Sequence, residues 1–571
     1  MTATPGDVAR KFEQIAEKLP PLPSGKRKRT IGVSIAGKDM QGGMGRPNAP
    51  QVARNMTELE KSGFQDQIKP ELIVHSGNLP ATADALRDLF AASGRFLDRG
   101  MPVRVVSPAD GGSASATPVT RHGVVIEAHR LCQPVKLTAH GDRVPVTLPE
   151  RVAQMYLDMS GEWNLPPLAG ISTAPLLSSD GAVRFADGYD HQSGLWCGGV
   201  PQLDFHPRPA LSDAERAFRR LRWIFLTFPF ADSVRRLDDA LGVEVVDLDH
   251  PPGRDESAFL VALITAVCRP SLWLAPGLLI TSPAVSGAGS AKGLLVRAIC
   301  AIAFGVRPQA FTTGGERHEL EKRLAAELIE AHPALFLDNV NGIALRSDTL
   351  ASVLTERPVR VRVLGETRMV PLNSTAFVAV TGNGLTVTED LARRFVLCEL
   401  DARCEDPETR PFTAGFLDDI GRHRADLLTA ALTIWRWGRQ TAVDLERGKP
   451  LGSFERWSDW CRDPLLMLGC CDPVDRIDAI KTNDPRRQRV AELFRAWWEY
   501  HGPAPVKANN LAEPAKAIAD PQGRGRQYLA TFLSGLAGTR AAGFVLTRQE
   551  PAGKWTAATY ALSETSGAYK T

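Results

Sequence analysis

Short apolar runs alternate with polar loops between residues 277 and 395, and this pattern predicts an α/β core with parallel strands. The runs at 277–280, 334–337 and 376–380 contain no regularly spaced polar residue, which is typical of strands buried on both faces. The segment 294–304 is almost entirely apolar and is long enough for a buried helix. Units of strand, loop and helix are therefore expected to follow one another in this stretch.

The loop between the first strand and this helix has the composition of a phosphate-binding loop. Small residues let backbone N–H groups approach a phosphate, the helix N-terminus attracts it, and the Lys292 ammonium can bind its outer oxygens. The loop departs from G-x-x-x-x-G-K-[ST] at three positions, so a surface loop rich in glycine and serine is the alternative. The residues that would surround the phosphate are Ser286, Gly287, Ala288, Gly289, Ser290, Ala291, Lys292 and Gly293.

Polar residues follow two of the later strands. Asp338 comes directly after the apolar run at 334–337, and Asn383 ends the strand pattern that begins at Thr375. Ligands of open α/β sheets bind at the carboxyl ends of the strands, so both side chains are expected near the lysine loop. Two arginines, Arg393 and Arg394, follow soon afterwards.

This order of loop, acid, asparagine and arginines resembles that of the AAA+ ATPases. Within them it resembles the superfamily 3 type helicases and the helicase modules of phage and mobile-element primases, over roughly residues 275–405. The resemblance implies ATP and Mg²⁺ as cofactors, with Asp338 ordering the metal and Asn383 facing the γ-phosphate or the attacking water. It also implies that Arg393 or Arg394 reaches into a neighbouring subunit of a homo-oligomeric ring, a hexamer.

Two positions differ from the family pattern. Asn339 stands where a second acid usually follows Asp338, and an amide can orient water but cannot accept its proton. Gly293 removes the hydroxyl that would bind Mg²⁺, although an acid from residues 312–319 remains available. A DNA-binding replication or regulatory scaffold that binds nucleotide without turnover is therefore the alternative to a DNA helicase or translocase. A protein remodeller is a third possibility.

Residues 359–372 alternate apolar and polar positions around a glycine-containing turn, which predicts a β-hairpin. In the helicases that the sequence resembles, a hairpin at this place grips DNA, and Arg362 and Arg368 could do so here. The alternative is an edge hairpin with solvated arginines.

The last ninety residues predict three helices followed by a hairpin, which together look like a winged helix. Residues 481–571 contain 13 Lys and Arg against 7 Asp and Glu, a net +6, while the whole chain has a net charge of +3. This charge favours DNA as the partner. The residues expected to contact DNA are Arg524, Arg526, Arg548 and Lys554.

A chain of 571 residues is expected to form several domains. It lacks an apolar run of ~18 residues and begins with a polar segment, so no membrane contact and a cytoplasmic location are expected. A separate primase is a further possible partner. The predicted domains are an N-terminal α+β region at 1–205, an AAA+ core with a preceding helical lid at 206–405, a helical subdomain at 406–480 and the winged helix at 481–571.

Overall fold

The described residues of the N-terminal part, up to Cys197, form small sheets and three helices. The computed structural model describes residues 69–107, 113–239, 241–284, 287–313, 317–341, 344–363, 368–410, 415–441, 448–449, 451–477, 485–549 and 557–565. The strands here are β1 (Glu71–Ile73), β2 (Leu97–Asp98), β3 (Pro102–Val106), β4 (Ser115–Pro118), β5 (Gln133–Leu137), β6 (Arg143–Pro145), β7 (Gly170–Ser172), β8 (Leu176–Leu177), β9 (Val183–Arg184), β10 (Gly188–Asp190) and β11 (Leu195–Cys197). The helices are α1 (Leu79–Ala92), α2 (Arg121–Leu131) and α3 (Glu150–Asp158), and they share one apolar core.

The central part contains the predicted parallel sheet. Its elements are α4 (Leu211–Ile224), β12 (Arg235–Asp238), β13 (Val243–Val246), α5 (Arg254–Cys268), β14 (Gly277–Ser282), α6 (Lys292–Phe304), β15 (Ala310–Phe311), α7 (Arg317–Glu330), β16 (Ala334–Leu337), α8 (Asp348–Thr355), β17 (Val359–Arg362), β18 (Met369–Leu372), β19 (Phe377–Asn383), α9 (Glu389–Ala392) and β20 (Phe395–Glu399). Five strands pair in the order β15-β16-β19-β14-β20, and all four pairings are parallel. The sheet is compatible with a core of the P-loop type.

The register of this sheet places the predicted site residues at one edge. Ser282, the last residue of β14, is paired with Asn383, the last residue of β19. On the other side of β19, the run of buried residues in β16 ends one position before Asp338. Because parallel strands end at a common edge, the loop after β14 begins beside both polar residues.

Two apolar cores flank the sheet, one shared by α4, α5 and α6 and the other by α7 and α8. Every residue of α5 from Asp255 to Cys268 is buried, so this helix, expected in a lid, is part of the core packing. The indole of Trp457 donates a hydrogen bond of 2.8 Å to Thr265 Oγ1 in α5. The segment after the sheet contributes to the same core through α10 (Phe416–Arg422), α11 (Arg424–Gln440), α12 (Glu455–Trp457) and α13 (Asp463–Met467).

The predicted hairpin is formed by β17 and β18, which pair antiparallel with Val359 opposite Leu372. One face of the hairpin is buried, and it also rests on the N-terminal part of the chain. A β-carbon at Gly100, whose φ is +71°, would lie 2.8 Å from Cβ of Val370. Glycine therefore permits the close approach of these two segments.

The end of the chain has its own apolar core beneath three helices and an antiparallel sheet. The four strands pair in the order β21-β24-β23-β22, and the β23–β24 pair is the predicted hairpin. No helix in the ranges given above is long and apolar enough to cross a lipid bilayer. The elements of this part are α14 (Pro485–His501), β21 (Val506–Lys507), α15 (Glu513–Ala519), α16 (Arg526–Leu536), β22 (Arg540–Ala541), β23 (Phe544–Gln549) and β24 (Thr559–Glu564).

Candidate functional site

The structure brings Lys292, Asn383 and Asp338 together at the carboxyl edge of the parallel sheet. Lys292 Nζ donates a hydrogen bond of 2.6 Å to Asn383 Oδ1. The negative charge of Asp338 acts on the same ammonium. A β-carbon at Gly293 would lie 3.4 Å from Asp338 Oδ2, so the start of α6 faces this carboxylate. The three residues singled out from the sequence thus share one site.

The loop itself is shaped by contacts to the lysine side chain. Lys292 Nζ also donates to Ser282 Oγ at 2.6 Å, Gly287 O at 2.7 Å and Ser290 Oγ at 3.0 Å. These bonds hold the loop around the ammonium and orient it toward the sheet edge. Ser286 lies outside the residues that the structure describes.

Small residues in the loop are required by space and by backbone conformation. A β-carbon at Gly287 would collide with the Pro283 carbonyl oxygen, and one at Gly289 would lie 2.7 Å from the backbone nitrogen of Glu408. Ala291 has a φ of +67°, and it is the residue immediately before α6. The loop therefore turns sharply, and the first N–H groups of α6 are placed at its inner end.

Burial lowers the pKa of Lys292 to about 8, although the charge of Asp338 acts in the opposite direction. An ammonium that is poorly solvated and surrounded by neutral oxygens favours a further anionic partner. A phosphate group entering the loop would provide that charge. The site therefore has the electrostatic character of an anion site.

Asp338 is held at its own end of the site by two hydrogen bonds. Thr381 Oγ1 and the backbone N–H of Asn339, the latter at 2.9 Å, both donate to Asp338 Oδ1. Asn339 has a left-handed φ of +62°, and its Oδ1 accepts a bond of 2.6 Å from Asn341 Nδ2. Asn341 Oδ1 in turn accepts the N–H of Asn383 at 2.6 Å.

Thr381 and Asn341 were not identified from the sequence. Thr381 points from the strand next to β16, and its pairing with Asp338 depends on strand order, which the sequence alone does not determine. Asn341 joins Asn339 to Asn383, and so the two predicted amide residues belong to one hydrogen-bonded network. The only sign of Asn341 in the sequence is that a polar residue stands three positions after Asp338, the acid at the end of a strand.

The donor set at Asp338 fits a Mg²⁺ ion that is shared with phosphates. Mg²⁺ in nucleotide sites uses one or two carboxylates together with substrate oxygens and water. Both hydrogen bonds to Asp338 end on Oδ1, whereas Oδ2 faces Gly293. Within the described ranges no group of three His, Cys, Asp or Glu residues could hold a metal on its own.

Arg297 occupies the space beside Gly293 and is a further residue that the sequence did not reveal. A β-carbon at Gly293 would lie 2.8 Å from Arg297 Nη1. The guanidinium carbon of Arg297 is 5.2 Å from the centre of the Phe336 ring, on the strand that ends at Asp338. A cation therefore lies one turn along α6 from the position at which a hydroxyl would bind the metal.

The two candidate trans-acting arginines differ in exposure. Arg393 and Arg394 both donate to Asp390 Oδ1, at 2.9 and 3.0 Å. The Arg393 side chain is 60% exposed, whereas that of Arg394 is 13% exposed. Of the two, Arg393 is the one whose guanidinium is available to another molecule.

Of the acids in the segment 312–319, the structure describes Glu319 alone, and it does not bring Glu319 to the site. Residues 314–316 lie outside the described ranges. Glu319 is paired with Lys322 at 2.7 Å on the exposed side of α7. Asp338 thus remains the carboxylate that the geometry places beside Lys292.

The predicted DNA-contacting arginines are spread over two surfaces. Arg362 is exposed on β17, while Arg368 is half-buried where the hairpin meets Gly100. On the C-terminal part Arg524 lies 4.8 Å from the Tyr528 ring centre, and Arg548 Nη1 donates to Ser534 Oγ at 3.2 Å. Arg526 is exposed at the start of α16, and Lys554 falls outside the described residues.

Comparison with known proteins does not assign a family. No family model matches the chain, and no curated protein matches it. A solved structure named "SCCmec type IV Cch - active helicase" is similar with a TM-score of 0.33 and 10% sequence identity, covering 81% of this chain and 93% of that chain. A likeness this weak supports no conclusion, so the function must be argued from the residues themselves.

Proposed function

We propose that this protein is an ATP-driven DNA helicase or translocase. The observation that carries the proposal is the convergence of Lys292, Asn383 and Asp338 at the edge where a small-residue loop leads into α6. A loop of this shape at a helix N-terminus suits phosphate, and one acid beside it suits a metal held between protein and phosphate. Replication of a phage-like or integrated mobile element is the biological setting that the family resemblance suggests.

Each residue of the site has a distinct part in this proposal. Lys292 would exchange some of its neutral partners for phosphate oxygens, and the N–H groups at the start of α6 would bind the same group. Asp338 would hold Mg²⁺, which supplies charge neutralisation at the transferred phosphoryl group when bound. Asn383 and Asn339, linked through Asn341, would orient the attacking water.

An oligomeric ring, a hexamer, is part of the proposal because an arginine from a neighbouring subunit would stabilise the charge on the transferred phosphoryl group. Arg393 is the better candidate for this role since its side chain is largely exposed. Arg394 would support it by sharing Asp390. The test of this assignment is whether subunits with a defective Lys292 and subunits with a defective Arg393 recover activity when mixed.

DNA would be contacted by the β17–β18 hairpin and by the C-terminal part as a winged helix. Arg362 is exposed as the last residue of β17, and on the C-terminal part Arg524 just before α16 and Arg526 at its start are on the surface. The hairpin rests on the N-terminal part, so its movement would be transmitted to residues near Gly100. A separate primase would act as a partner in replication.

A DNA-stimulated ATPase assay tests the proposal directly. We expect hydrolysis by the wild type that rises with DNA, and little hydrolysis by Lys292→Ala or Arg393→Ala. Lys322→Ala is the control, because Lys322 is an exposed lysine on α7 that pairs with Glu319. A wild type as inactive as Lys292→Ala would exclude the motor.

The second candidate function is a DNA-binding replication or regulatory scaffold that binds nucleotide without hydrolysing it. It is favoured by Asn339, whose amide cannot accept a proton, and by Arg297, whose guanidinium stands beside Gly293. In that case the nucleotide should bind with little dependence on Mg²⁺, and Arg297→Gln should weaken binding most strongly when EDTA is present. Isothermal titration of an ATP analogue with and without Mg²⁺ separates the two functions.

A further inference from the structure

A second positively charged site lies between the central part and the C-terminal part of the chain. It is a cleft of about 730 Å³, separate from the lysine loop. The central part contributes Arg346 and Arg393, and the C-terminal part contributes Arg486, Arg487 and Arg540. All five side chains are exposed to solvent. Segments from both parts of the chain therefore bring guanidinium groups to one opening.

The acids in this cleft do not balance the arginines. Among the described residues that line it, Asp348 and Asp390 are the two carboxylates, so five positive charges face two negative ones, a net of three. Asp390 is also shared, because it accepts hydrogen bonds from Arg393 and from Arg394. Charges of one sign along a cleft raise its potential and attract a counter-ion.

The first turn of α14 adds to this potential. Residues 485–488 contain Arg486 and Arg487 and no acid, although a helix N-terminus is stabilised by negative rather than positive side chains. Arg489 in the same helix has a structural role, since it donates to the carbonyl oxygens of Ile518 at 2.7 Å and Ala519 at 2.9 Å. Arg486 and Arg487 of the same helix line the cleft.

We propose that this cleft binds the backbone phosphates of a DNA strand. The guanidinium group matches phosphate in shape and hydrogen-bonding geometry, and a net charge of three suits several phosphates better than one. Leu536 lines the cleft at one end of α16, and Arg526 begins that helix. The two ends are about 15 Å apart, so a strand can contact the cleft and the arginines at the start of α16 together, whereas a single nucleotide cannot.

This inference rests on the proposed function, because it assumes DNA as the partner, but it identifies residues that the sequence did not single out. The chain would then carry DNA contacts between its nucleotide core and its C-terminal part, as well as on the hairpin.

The test is the affinity of the full-length protein for a fluorescein-labelled single-stranded oligonucleotide, measured by anisotropy over a range of salt concentrations. The double variant Arg486→Gln/Arg540→Gln should bind about tenfold more weakly. Its plot of log affinity against log salt should be shallower by about 0.7 for each phosphate that the variant no longer neutralises. Arg130→Gln is the matched control, because Arg130 is an exposed arginine of the N-terminal part whose partner Glu127 keeps Arg95 and Arg104.

The outcomes separate this proposal from the proposed function. Unchanged DNA affinity in the double variant would overturn the cleft as a DNA site, and DNA-stimulated hydrolysis by the wild type would still support the motor. A double variant that loses affinity for a fluorescent ATP analogue, and not for DNA, would show that the cleft binds the phosphates of a nucleotide. That result would also overturn the cleft as a DNA site. Weaker DNA binding by the variant in a protein without ATPase activity would support the cleft and remove the motor. A wild type that binds no DNA would overturn both.

Discussion

Replacing Lys292 with methionine should abolish most nucleotide binding while leaving the fold intact. Lys292 Nζ donates to four oxygens, and so the side chain helps to hold the loop together. The neighbouring hydroxyls provide substitutes, however. Ser282 Oγ lies 2.9 Å from Asn383 Oδ1, and Ser290 Oγ donates to Gly287 O at 2.9 Å. When the ammonium is removed, the Asn383 and Gly287 oxygens therefore still have hydroxyl donors within reach.

The expected loss of stability is about 1 kcal/mol, the net contribution of an ordinary intramolecular hydrogen bond. Removing a charge that is poorly solvated, as its lowered pKa of about 8 indicates, reduces this loss further. Nucleotide affinity should change much more. A hydrogen bond to a charged group contributes about 1.5–3 kcal/mol, which corresponds to a weakening of about 10- to 150-fold.

Two measurements on the same variants decide this prediction. Urea unfolding gives the change in stability, and titration with a fluorescent ATP analogue gives the change in affinity. Lys322→Met is the control, since it removes an exposed lysine that pairs with Glu319. A large loss of stability in Lys292→Met, or affinity within twofold of the wild type, would refute the separate roles assigned to the loop and its lysine.

Three further predictions concern the same site. Gly289→Ala should lower the free energy of unfolding in urea by about 1–3 kcal/mol and weaken nucleotide binding, because φ is +73° and the new methyl would meet the backbone of Glu408. A substitution that changes neither stability nor binding would contradict the tight loop. Thr381→Val removes a hydrogen bond to Asp338. It should raise the Mg²⁺ concentration needed for hydrolysis by a larger factor than it weakens nucleotide affinity. Equal factors would argue against a role for Thr381 in positioning Asp338. Because phosphate binding raises the pKa of Lys292 from about 8, binding takes up a proton at higher pH. Affinity should therefore fall by up to about tenfold per pH unit above that value, and a flat profile would show that the lysine does not contact the phosphate.

The sequence was most informative where one residue pattern permits one local structure. The apolar run before Asp338 and the run that ends at Asn383 predicted buried strands, and both are present in a parallel sheet. The amphipathic segments near the C-terminus predicted helices, and α14 and α16 are found there. Local patterns suffice for such elements because burial and hydrogen bonding within them repeat along the chain.

Contacts between distant segments could not be predicted in this way. The approach of Val370 to Gly100 joins residues far apart in sequence, and the pairing of Thr381 with Asp338 depends on strand order. Arg297 looks like an ordinary polar position in an apolar helix one turn from Gly293, and its approach to the Phe336 ring follows from the packing of α6 on β16. The arginines of the cleft come from separate segments, so no local pattern brings them together.

The most direct test of the central claim is a structure of the full-length protein with a non-hydrolysable ATP analogue and Mg²⁺. We expect the outer phosphates to lie within hydrogen-bonding distance of Lys292 Nζ and of the first N–H groups of α6, with Asp338 and Asn383 facing the same phosphates. Nucleotide bound elsewhere, or phosphates that do not contact Lys292, would contradict this claim.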